Sequence, residues 1–92
     1  MIVRISGEGQ FRLPDNDAER LNDLDNDAVG AVEAGDEEKF HSLFGEMLSL
    51  VESDGEAIDH DELVESDVIL PPRDVSFEEA AGEFTGDGLI PD

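Results

Sequence analysis

The sequence predicts an α+β domain: an N-terminal β-hairpin, an antiparallel αα-hairpin, a short third strand and a short C-terminal helix. Three observations predict it. Two alternating apolar segments flank a glycine-rich turn near the N-terminus. Two long stretches of helical periodicity meet at a glycine. A brief β-branched run ending in two prolines precedes a helix start signal.

In the hairpin, Val3 and Ile5 alternate with Arg4, and Phe11 and Leu13 alternate with Arg12, so each strand has an apolar face and an arginine face. A three-residue loop over residues 7–9 pairs Ile5 with Phe11, Arg4 with Arg12 and Val3 with Leu13. A two-residue loop at Glu8-Gly9 sets Ile5 against Arg12 and mixes the faces. The longer loop is therefore expected, with Gly9 in the left-handed conformation.

Pro14-Asp15-Asn16-Asp17 opens the first helix, in which Leu21, Leu24, Ala28, Ala31 and Val32 recur at helical spacing. Gly30 weakens it by about 1 kcal/mol relative to alanine. Ala34-Gly35-Asp36 ends this helix and caps the next, whose stripe is Phe40, Leu43, Phe44, Met47, Leu50 and Val51. So short a connection makes the pair antiparallel, and their apolar faces form the main core. After Ser53-Asp54-Gly55, residues 59–64 read as a short helical turn or loop. Val68-Ile69-Leu70, stopped by Pro71-Pro72, suits an edge strand. Ser76-Phe77-Glu78-Glu79 is a capping box opening a short helix that carries Phe77, Ala80, Ala81 and Phe84 inward. Gly86-Asp87-Gly88 is a turn, with Leu89-Ile90 expected to dock on the core.

The 92 residues fit one domain, residues 1–92, that buries only roughly 60–65% of its unfolded surface. The chain carries 26 acids against 5 Lys and Arg, a formal charge of −21, and no cysteine. Disulfides, thiolate metal sites and cysteine nucleophiles are thereby excluded. Charge-free stretches are too short to span a membrane, and the N-terminus has no signal-peptide pattern, so a cytoplasmic location is expected. Leu, Ile, Val and Phe make up 26 residues, enough to place the chain outside the disordered class despite its charge. The 13 Asp and 13 Glu are spread evenly and Lys39 is the sole lysine. An even acidic coat of this kind suits a high-salt cytoplasm, where a Debye length of about 3 Å screens the self-repulsion.

The acids do not form a calcium loop. Asp23-Leu24-Asp25-Asn26-Asp27 has the ligand alternation but carries Ala28 and Ala34 where glycine and glutamate are needed. The stretch from Asp54 to Glu65 places Ile58 and Asp59 at the fifth and sixth positions. His41 and His60 lack a partner at metal-ligand spacing and read as solvated. The serines have no nucleophile-elbow context, and Gly7-Glu8-Gly9-Gln10 precedes a strand rather than a helix. No enzyme, cofactor or metal site is expected.

The scarce cations say more. Arg4 and Arg12 face each other on the outside of the expected hairpin, an arrangement that costs stability unless acids lie across it. Those acids could come from the chain's own C-terminal third or from a partner protein. Nucleic-acid binding by two arginines within so negative a field is excluded.

Met1-Ile2-Val3-Arg4-Ile5-Ser6-Gly7-Glu8-Gly9-Gln10-Phe11-Arg12-Leu13 resembles the opening of the PspA-associated (PspAA) domain. Glu65-Ser66-Asp67-Val68-Ile69-Leu70-Pro71-Pro72-Arg73-Asp74, the Ser76-Phe77-Glu78-Glu79 cap and Gly86-Asp87-Gly88-Leu89-Ile90-Pro91 extend the resemblance over essentially the whole chain. It implies a small non-enzymatic partner of phage-shock protein A, itself a coiled-coil, membrane-remodelling protein of envelope-stress responses. Such a partner would be cytoplasmic, or membrane-peripheral through its association, with no membrane insertion of its own. Of the positions that recur in the family, Gly7, Gly9, Pro71 and Pro72 serve turns and strand ends, which leaves Arg4 and Arg12 as candidate partner contacts. The heavier acid load looks like a salt-adapted, halophile-type version. The alternative is an acidic nucleic-acid mimic occupying the basic groove of a DNA-binding protein, which would need acids in two phosphate-spaced lines rather than an even scatter.

Overall fold

In the computed structural model, which describes residues 1–59, 61–62 and 64–84, the chain runs β1 (Ile2–Ile5), β2 (Gly9–Arg12), α1 (Asp15–Glu33), α2 (Glu37–Asp54), β3 (Glu56–Ala57), β4 (Val68–Leu70) and α3 (Phe77–Glu83). The α+β class and the order of its main elements agree with the sequence reading. The expected turn at Gly86-Asp87-Gly88, the docking of Leu89-Ile90 and the position of His60 lie outside the described residues.

The four strands form one sheet in the order β3-β2-β1-β4. Two features differ from expectation. The hairpin loop is residues 6–8, not 7–9, and the register pairs Val3 with Phe11, Arg4 with Gln10 and Ile2 with Arg12. Arg4 and Arg12 therefore do not oppose each other. Sliding the register by two residues leaves every side chain on its own face, so alternation alone cannot tell the two pairings apart. The turn decides. The Glu8 amide donates to the Ile5 carbonyl at 2.9 Å, and both Gly7 (φ 82°) and Gly9 (φ 112°) take backbone angles that disfavour a side chain. Met1 then joins the ladder, with its amino group donating to the Leu13 carbonyl and the Leu13 amide donating to the Met1 carbonyl.

The second difference is β3, a two-residue strand pairing Phe11 with Ala57 and Arg12 with Glu56, which the sequence gives no pattern for. Gly55 makes it possible. A Cβ there would lie 2.3 Å from the Val51 carbonyl oxygen in the last turn of α2 and 3.1 Å from the Phe11 Cβ, so glycine lets the chain leave the helix directly onto the sheet. At the opposite edge β4 runs parallel to β1, with Val3, Arg4 and Ile5 beside Val68, Ile69 and Leu70.

Pro14 precedes α1 with its carbonyl accepting from the Asp17 and Ala18 amides, and the helix continues unbroken through Gly30. Asp36 caps α2, its Oδ1 accepting from the Lys39 amide at 3.1 Å. Ser76 caps α3 in the same way, accepting from the Glu79 amide at 3.2 Å. The inner face of the sheet (Val3, Ile5, Val68 and Leu70) and the apolar stripes of α1 and α2 close one core. Its densest part is aromatic. Phe40 stacks on Phe44 and meets Phe84 edge-on with centroids 5.1 Å apart and planes at 75°. Leu48 and Val29 are buried beyond the stripes read from the sequence, whereas Leu43, Leu50 and Val32 are only half-buried. Asp25, also on the inner side of α1, is fully buried and is not without a partner.

Asp17 near the start of α1 meets Asp54 at the end of α2. Its carboxyl titrates above the usual carboxylate range, because of partial burial, the Asp54 charge and a hydrogen bond to Asp54. A raised folded-state value means that the folded chain binds this proton more tightly than the unfolded chain. The contribution to stability is full below the unfolded value and lost as pH rises through the folded one. Asp54→Asn should therefore raise the melting temperature by a few degrees at pH 7, with the gain vanishing near pH 3. An equal shift at both pH values would show that the two carboxylates do not interact.

Candidate protein-interaction face

Because β1 and β2 turn Val3, Ile5 and Phe11 inward, alternation sends Ile2, Arg4, Gln10 and Arg12 to the outer face of the sheet. Ile69 stands beside Arg4 on that face and is 58% exposed, the one exposed large hydrophobic residue among the described residues. Arg4 and Arg12 are both exposed. They share the face as diagonal neighbours rather than as a direct cross-strand pair, which eases the repulsion the expected register carried.

The chain also places its own acids near them. The connection from β3 at one edge to β4 at the other must pass across the sheet, and Gln10 shows on which side. Its amide nitrogen donates to the Val64 carbonyl at 3.1 Å and to Ser66 Oγ at 2.7 Å, so the connection crosses the outer face. A hollow of about 240 Å³ is lined by Arg4, Gln10, Asp59 and Glu62. Another of about 180 Å³ is lined by Arg12, Glu56, Asp59 and Glu62. Both arginines thus look onto the same two carboxylates, yet among the described residues neither forms an ion pair within 4 Å.

Among the described residues the one lysine or arginine with an ion pair is Arg73, in the turn after β4, which the sequence reading did not single out. Its guanidinium donates through Nε to Glu8 Oε2 at 3.2 Å and through Nη2 to Glu8 Oε1 at 2.8 Å, and it also bonds Glu52. The bidentate contact to Glu8 holds the Arg73 proton more tightly than in a free guanidinium. It ties the hairpin loop to the end of α2 and leaves the outer face to Arg4 and Arg12. His41 is exposed, with Glu37 one helical turn away at 3.8 Å. Among the described residues no group of His, Asp and Glu is arranged to hold a metal ion, and no helix is long and apolar enough to cross a membrane.

The PspA-associated protein family model matches residues 1–92. The chain belongs to the PspA-associated protein family. No curated protein and no solved structure matches it. The match covers residues 1–92, so the hairpin bearing Arg4 and Arg12, the helical pair and the β4 edge all lie within it. The family's description names association with PspA, which gives the outer face of the sheet a class of protein to be tested against.

Proposed function

We propose that this PspAA-family chain is a non-enzymatic interaction module. It binds a PspA-type coiled-coil protein through the outer face of its sheet and thereby modulates the envelope stress response from the cytoplasm. The observation that carries the reading is the pair Arg4 and Arg12. In a chain of charge −21, two of the five cations stand exposed on one face, with no ion pair among the described residues, next to an exposed Ile69. A surface that offers exposed guanidinium groups beside an apolar side chain suits a helix with carboxylates along one edge.

The acidic coat elsewhere belongs, in this reading, to a salt-rich solvent rather than to the partner. In such a solvent long-range attraction is screened, and only charge contacts at hydrogen-bond distance contribute to docking. Reversal of both charges, Arg4→Glu with Arg12→Glu, should weaken binding of a purified PspA protein by roughly tenfold or more. The melting temperature should hardly move, because both side chains are exposed. Undiminished binding by the folded double variant would remove the arginines from the interface.

A further inference from the structure

We propose that the acidic connection between β3 and β4 is a built-in competitor for the arginine face, with Asp59 and Glu62 standing where a partner's carboxylates would bind. The inference rests on the arginine reading above and adds a mode of regulation to it. Its geometric basis is the crossing itself. Strands β3 and β4 lie at opposite edges of the sheet, and Gln10 pins residues 64–66 to the outer face.

The two ends of the connection are secured by backbone contacts. At the start, the Ile58 amide donates to the Gln10 carbonyl at 2.9 Å. At the finish, the Asp67 amide donates to the Ile2 carbonyl, and Asp67 Oδ2 accepts from the Ile2 amide at 2.7 Å. Between those anchors Asp59 and Glu62 face both arginines across the two hollows. Their carboxylates stop beyond 4 Å from either guanidinium, so the attraction is diffuse and no bidentate bond has to be broken. A partner carboxylate that reaches a guanidinium directly therefore displaces them at low cost. Meanwhile the connection discourages weak or misplaced anionic partners.

The test compares binding of a purified PspA protein by calorimetry at one salt concentration. Asp59→Asn with Glu62→Gln should tighten binding about fivefold, since it removes the competing charges and keeps the shapes. The same charge removed at Glu33 and Glu38, exposed around the helical turn far from the sheet, should change affinity less than about twofold. In the Arg4→Glu, Arg12→Glu background the fivefold gain should disappear. Equal gains from both neutralised pairs, or no gain at Asp59 and Glu62, would overturn the competitor. Either result could coexist with strong weakening on arginine reversal, in which case the arginine interface stands and only its regulation falls. Full binding after arginine reversal would instead sink the interface, and the competitor with it.

Discussion

Raising potassium chloride from about 0.1 M to about 1 M should lift the melting temperature of this domain by roughly 15 °C or more. Twenty-one net negative charges are gathered on a molecule whose radius of gyration is 12.6 Å. Over that salt range the Debye length contracts from about 10 Å to about 3 Å. Repulsion across the folded molecule is then nearly extinguished, whereas the expanded unfolded chain, with its charges farther apart, gains less. The difference is of the order of several kcal/mol in favour of folding, and each kcal/mol moves the melting temperature of a domain this size by about 4–8 °C. A melt followed by circular dichroism across a potassium chloride series measures it. A flat response would return the acidic coat to the features that need a binding partner to explain them.

Phe40→Ala should leave the domain with at most about 2 kcal/mol of stability. Phe40 is fully buried and touches Phe44, Phe77 and Phe84, so truncation opens a cavity where α2 and α3 meet. Such a change costs about 3–5 kcal/mol. A chain of 92 residues at the lower end of ordinary stability has about 5 kcal/mol in total. The seven residues of α3 are too few to stay helical alone, so they should detach first. Phe40→Leu, which keeps most of the volume, should retain a cooperative transition. If Phe40→Ala melted cooperatively within a few degrees of the parent, the aromatic cluster would not be the centre of the core.

Much of this architecture is legible in the residues because it is local. Helix caps at Asp36 and Ser76 act within three residues of themselves, and the apolar stripes of α1 and α2 follow the helical period. The burial of Phe40, Phe44, Met47 and Val51 follows from that period directly. Asp25 was open to no such reading. A carboxylate between Leu24 and Asn26 looks like one more member of the acidic coat, and only packing places it inside. Arg73 was similarly hidden, because its partners Glu8 and Glu52 are distant in the chain and meet it only in the fold.

The candidate site divides along the same line. Alternation alone puts Arg4 and Arg12 on the outer face of a hairpin, and composition makes them conspicuous as cations in an acidic chain. By itself the sequence determined the α+β class, the identity of the helices, the edge position of Val68–Leu70 and the charge of the surface. The tertiary structure alone decided the hairpin register, the added strand Glu56–Ala57 and the passage of an acidic connection across the arginines. The reason is common to all three. A two-residue slide conserves every face, a two-residue strand has no period to read, and a crossing is defined only once both edges of the sheet are in place.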